Sequence, residues 1–209
     1  FIATGPGEAA ADKISLGDFV VMDEPFLELG TKCVSKALDN RVACWLGLEL
    51  LRKVSAGDIA HDCDLYVAFT SQEEVGLRGA RTATFIVQPD LAIGVDTTLA
   101  CDLPGVGEKD HITTQGAGFG LHLKDRSMIS HRGMIKEVEA IAREAGIPFQ
   151  RTMLPAGGQD GAAAQQTAGG ARTVSIVVGT RYIHTVTEMI DKTDLAAARD
   201  LLVAFVKAH

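Results

Sequence analysis

Val67-Ala68-Phe69-Thr70-Ser71-Gln72-Glu73-Glu74-Val75-Gly76 is an apolar run that ends in two adjacent carboxylates and then a glycine. Together with the two residues before it, its start predicts a strand at 65–70 buried on both faces, as in the centre of a sheet. Open α/β sheets build their sites at the carboxyl ends of the strands, so a strand stopping at two carboxylates can hold a metal and a general base. Adjacent residues on a strand point in opposite directions. Glu73 and Glu74 can therefore serve one site only if the backbone turns irregular there, and the loop before Gly76 provides for that.

The flanking sequence alternates between the two periodicities. Strands are predicted at 33–35, at 91–95 ending at Asp96, at 118–124 along an edge, at 149–154 and at 173–178. Val42, Leu46, Leu50 and Val54 recur at helical spacing, and Trp45, Leu48 and Leu51 widen that stripe enough to bury most of the helix. Further helices are predicted at 79–85, at 131–145 with Gly146 as the stop, at 160–167, and after Thr193 as N-cap. Strands alternating with helices imply a three-layer α/β/α sandwich with a mixed, largely parallel sheet. Residues 1–30 read differently. A turn feeding a strand at 14–22 has no neighbour to pair with, so this stretch is expected to be the tail of a small β-rich module. The expected division is 1–30 and 31–209.

Composition narrows the function. A net charge of -7 and the absence of a Lys/Arg block argue against a nucleic-acid partner. No uncharged apolar run is long enough for a membrane helix. Cys33, Cys44, Cys63 and Cys101 are scattered, without a C-x-x-C pair, which makes reduced thiols and a cytoplasmic protein the expectation.

Four potential metal ligands follow apolar runs: Asp39, Glu74, Asp96 and His184. Oxygen and imidazole donors without thiolate suit zinc, cobalt or manganese. Each residue has a plainer reading. Asp39 can be an N-cap, Glu73-Glu74 a solvated acidic pair, Asp96 a turn residue and His184 a half-buried histidine. Their joint order along an α/β frame is the signal.

The sequence resembles the tetrahedral-type (TET) aminopeptidases, the group of deblocking and glutamyl aminopeptidases that has endoglucanase-named relatives. The resemblance runs through Lys36-Ala37-Leu38-Asp39-Asn40-Arg41, Thr70 to Ala80, Ala92-Ile93-Gly94-Val95-Asp96, Gly146 to Gln150, Gly157-Gly158-Gln159-Asp160 and Arg181-Tyr182-Ile183-His184-Thr185. It implies a zinc-peptidase-like fold and a co-catalytic pair of divalent metals, zinc or cobalt with manganese as a third choice. Asp39 would bridge the ions, Glu74 and Asp96 would be terminal carboxylates, and His184 the imidazole on one metal. Glu73 would be the general base. The resemblance also implies a cis peptide at Asp39-Asn40, peptide substrates, and a homo-oligomer growing from dimers to dodecamers. Asp160 is a candidate for holding the substrate amine, against the plainer reading of a turn before a helix.

One departure stands out. The family has a further histidine ligand well upstream of the bridging aspartate, and a PDZ-like dimerisation module between the two. Here the first histidine is His61. The resemblance therefore implies a C-terminal portion of the enzyme, with 1–30 as the end of the PDZ-like module. One metal would lack its imidazole, and little hydrolysis is expected of the chain by itself. The alternatives are a glycoside hydrolase using Glu73 and a second carboxylate without metal, and a non-catalytic metal-binding remnant.

Overall fold

The computed structural model describes residues 5–209. Seven strands form one sheet: β1 (Leu27–Leu29), β2 (Lys32–Ser35), β3 (Leu91–Leu99), β4 (Phe119–Lys124), β5 (Phe149–Met153), β6 (Arg172–Arg181) and β7 (Glu188–Asp191). The order is β1-β2-β7-β6-β4-β5, and β3 also pairs with β6. β3/β6 and β4/β5 are parallel and the other pairings antiparallel, so the sheet is mixed; the longest ladder, β3 on β6, is parallel.

The helices are α1 (Leu38–Ser55), α2 (Arg78–Val87), α3 (Arg132–Glu144), α4 (Gly161–Gln166) and α5 (Lys192–Lys207). None among the described residues is long and apolar enough to cross a membrane. Side chains on a strand alternate between faces, and β6 uses this to divide the layers. Val174, Ile176 and Val178 lie in the apolar core with Val42, Leu46 and Leu50 of α1, Val138 of α3 and Leu201 of α5. Burying a Leu, Ile or Val side chain stabilises by about 1.5–3 kcal/mol, which makes this face the main source of stability. Ser175 points the other way, to α4. That side is polar and tight: a Cβ at Gly94 of β3 would stand 2.1 Å from Gln159 Oε1 and 2.6 Å from Ser175 Oγ. Only a glycine lets α4 and its leading loop lie so close to β3.

The mixed α/β architecture and the helices match the sequence expectation, while several details differ. Residues 14–22 form no strand; all but the half-buried Ile14 are exposed, and among the described residues nothing offers them a ladder. β1 instead joins the main sheet through β2. Trp45 and Leu48 are exposed, so α1 buries a narrower stripe. β3 runs on through Asp96 to Leu99. β4 is interior, between β5 and β6, because its residues 119–122 are all buried. β7 carried no signal: four residues, half of them carboxylates, are too short to show a period. Asp191, not Thr193, caps α5 by accepting the Thr193 N–H at 2.7 Å. Residues 65–70, expected as a central strand, belong to no strand.

Candidate metal centre

Three loops deliver the side chains. The first is the start of α1. The Asp39-Asn40 peptide is cis, as the resemblance implied, and both residues have non-helical backbone angles. Asn40 is the effective cap, its Oδ1 accepting the Ala43 N–H at 3.0 Å. Asp39 is thus no ordinary N-cap, and its carboxylate is left free to face the site.

The second loop carries Glu73-Glu74. The irregular backbone that the sequence called for is Gln72, at φ +62, followed by Gly76 at φ +124. The turn closes with the Gly76 and Leu77 N–H groups donating to Glu73 O at 3.0 and 2.9 Å. Behind it, Gly79 sits against Ser71, where a Cβ would stand 2.5 Å from the Ser71 backbone.

The third loop follows β6. Tyr182 and His184 both have positive φ, 58 and 62. Arg181 anchors the end of the strand through Asp102, Nε to Oδ1 at 2.7 Å. His184 then reaches back toward Asp39 and Glu74. Its Nε2 lies 3.1 Å from Asp39 Oδ2 and 3.4 Å from Glu74 Oε2.

Asp39, Glu74 and His184 present one donor atom each, all within 4.8 Å of one another. A tetrahedral ion with bonds of about 2.0–2.1 Å holds neighbouring donors about 3.3 Å apart, so both histidine contacts have the spacing of a coordination edge. Asp96 is outside that group. It is buried, and its Oδ1 accepts from Asn40 Nδ2 at 2.8 Å and from Thr97 N–H at 2.7 Å. The sequence-predicted set of four therefore appears as a cluster of three with Asp96 beneath it.

The electrostatics suit a divalent cation. Burial, then the Glu74, Asp160 and Asp39 carboxylates, raise the Glu73 carboxyl to about 7. Burial and then Glu74 push Asp39 up, with His184 opposing. Burial and then Asp39 push Asp96 well above the usual range. Among the described residues no Lys or Arg acts on these crowded carboxylates, and a divalent ion would relieve them. Asp160 joins the same field from the loop before α4. Burial raises it, the Thr70 hydroxyl donates to its Oδ2, and its Oδ1 is buried without a partner among the described residues. Its side chain makes no cap on α4.

Sequence reasoning missed Glu188. This residue, 2% exposed, accepts the Asp39 N–H on Oε2 at 2.9 Å and the His184 N–H on Oε1 at 2.8 Å. One buried carboxylate thus fixes the backbone under two of the three donors. Its only sequence cue is a position four residues after His184.

Comparison with known proteins concerns the chain as a whole. The family described as M42 glutamyl aminopeptidase matches residues 3–201. An aminopeptidase-named protein of Acetivibrio thermocellus is 36% identical over 197 residues, 94% of this chain and 58% of that protein. Among solved structures, an aminopeptidase of the archaeon Desulfurococcus kamchatkensis superposes with a TM-score of 0.85 at 33% identity, over 90% of this chain and 53% of that one. The TET1 peptidase of Pyrococcus horikoshii, described as able to assemble into a tetrahedron or a large octahedral shell, gives 0.82 at 28% identity, over 94% and 57%. The chain spans about half the length of the curated relatives it matches. With a match over nearly its whole length, this chain belongs to the M42 glutamyl aminopeptidase family.

Proposed function

We propose that the cluster is the hydrolytic centre of a metal-dependent aminopeptidase, in which Asp39, Glu74, His184 and the neighbouring Asp96 would hold two divalent ions, Asp39 being shared by both. The observation that carries this reading is the convergence of Asp39, Glu74 and His184 from three separate loops. When bound, a pair of ions such as zinc or cobalt supplies Lewis acidity at the scissile carbonyl and lowers the pKa of the attacking water. Glu73 is the carboxylate beside the cluster that is left unligated; it takes the proton from the water and passes it to the leaving amine. The unpartnered Oδ1 of Asp160 accepts from the ammonium of the substrate N-terminus. Glu188 holds Asp39 and His184 in register. Among the described residues no histidine acts on Asp96, so that side would hold an ion more weakly. Residues 1–30 are read as the end of a PDZ-like dimerisation module. Closed oligomeric shells, and a cytoplasmic location, are proposed for the longer protein.

The test is hydrolysis of aminoacyl anilides with and without added cobalt or zinc, for the chain and for Glu73→Gln. General bases contribute about 10²–10⁴-fold, so the variant should lose that much turnover and keep its metal. Chelator-insensitive hydrolysis of β-glucans would favour a glycosidase instead.

A further inference from the structure

His184 stands on a loop, residues 182–187, between β6 and β7. Among the described residues two ladder pairs close its base, Thr180 with Ile190 and Arg181 with Met189. Tyr182 and His184 both hold a positive φ, a region that L side chains occupy rarely and keep only where their surroundings hold them. The His184 side chain is 63% exposed, so packing does not fix it. Inside the loop the Thr185 hydroxyl donates to Tyr182 O at 2.6 Å and accepts the Thr187 N–H at 3.2 Å. Further support comes from residues 100–118, the crossover from β3 to β4. That segment grips both arms of the hairpin. Asp102 takes the Arg181 guanidinium on both oxygens, Nε to Oδ1 at 2.7 Å and Nη2 to Oδ2 at 3.0 Å. The Gln115 N–H donates to the same carboxylate at 2.9 Å. The buried Gln115 amide then donates to Gly179 O of β6 at 3.1 Å and to Met189 O of β7 at 2.6 Å. Burial alone would raise the Asp102 carboxyl, but Arg181 and the Gln115 N–H outweigh it and hold it below the usual range, so the pair is ionised. The seat is close: a Cβ at Gly179 would stand 2.5 Å from Thr113 Oγ1.

We propose that Asp102 and Gln115 are positioning residues for His184, a two-point clamp that closes both arms of the β6/β7 hairpin and holds the imidazole facing Asp39 and Glu74. Glu188 acts from inside the hairpin, on the His184 N–H, and serves Asp39 as well. The clamp acts from outside, on the strand ends, and none of the bonds named for it touches α1. A bidentate guanidinium–carboxylate pair fixes the direction of Arg181 as well as its distance. The Gln115 amide has two N–H donors, which lets one side chain tie two strands together. Opening either grip lets the loop relax toward ordinary backbone angles, and the ring then leaves its place. The loss is one of pre-organisation, which metal ligands draw from the groups behind them.

The test uses Gln115→Met, which removes both amide donors, and Arg181→Lys, which keeps the charge and loses the fork. The readout without metal is amide exchange by NMR at His184 and Asp39, whose N–H groups share the Glu188 carboxylate. In each variant the His184 amide should exchange about tenfold faster or more, while the Asp39 amide, at the start of α1, keeps its rate. A general loss of stability would speed both alike. The second readout is cobalt affinity, which should fall by about 10–100-fold. This half rests on the metal reading above, and the exchange half does not. If the parent binds no cobalt but the exchange contrast appears, the clamp stands and the metal reading falls. Equal His184 rates in parent and variants, or equal acceleration at His184 and Asp39, would overturn the clamp. So would unchanged cobalt affinity where the parent binds it. Loss of the fold in both variants would overturn it too, since the contacts would then be props of the sheet alone.

Discussion

Replacing Glu188 by Gln keeps the shape of the side chain and removes its charge. Each carboxylate oxygen accepts one backbone N–H, from Asp39 at 2.9 Å and from His184 at 2.8 Å, in a buried position. The amide can accept only one of them and turns its NH₂ toward the other. A hydrogen bond to a charged group is worth about 1.5–3 kcal/mol, and a buried donor left unpaired costs about 1–3 kcal/mol. Allowing for relaxation of the exposed His184 loop, the net loss should be about 2–4 kcal/mol. Urea unfolding followed by circular dichroism, in chelator, measures it without any assumption about metal. A second readout is cobalt affinity, because residues that orient ligands change metal binding by about 10–100-fold. A Gln variant within about 0.5 kcal/mol of the parent, the scatter of neutral surface changes, with cobalt affinity intact, would refute the role given to Glu188.

Gly94→Ala should destabilise by about 1–3 kcal/mol, since the new Cβ meets Gln159, Ser175 and Gly161 at once; urea unfolding checks this. Leu46→Ala should cost about 2–5 kcal/mol by the same measurement, because Leu46 is fully buried in the core under α1. Burial alone would raise Asp191, but Lys32, Thr193 and Thr31 outweigh it and hold the carboxyl at about 2. A depressed folded pKa means the unfolded chain takes up the proton first as pH falls. The stabilisation, roughly 2 kcal/mol, is therefore complete above about pH 4 and is lost as the pH falls through about 2. Parent and Asp191→Asn should differ most at pH 5 and converge near pH 2; a constant gap would contradict the assignment.

What the sequence made legible depends on where the cause lies. Val42, Leu46 and Leu50 announce α1 because its burial follows a local period, and the same holds for α3. The segment 65–70 looked like a central strand because periodicity reports which residues are apolar. It does not report whether a hydrogen-bonded neighbour is present, and among the described residues none is. Asp39, Glu74 and His184 could be placed together because each ends an apolar run, and the α/β frame sends such ends to one edge. Glu188 could not, since its two partners are backbone N–H groups, one of them 149 residues away. Asp96 was found as a carboxylate but not as one held by Asn40 beneath the others.

The most direct measurement is calorimetric titration of the chelator-stripped chain with cobalt, beside His184→Ala and Glu74→Ala. One ion should bind the parent and be lost or weakened in both variants while the chains remain folded. Absence of binding, or binding indifferent to both substitutions, would contradict a metal centre at Asp39, Glu74 and His184.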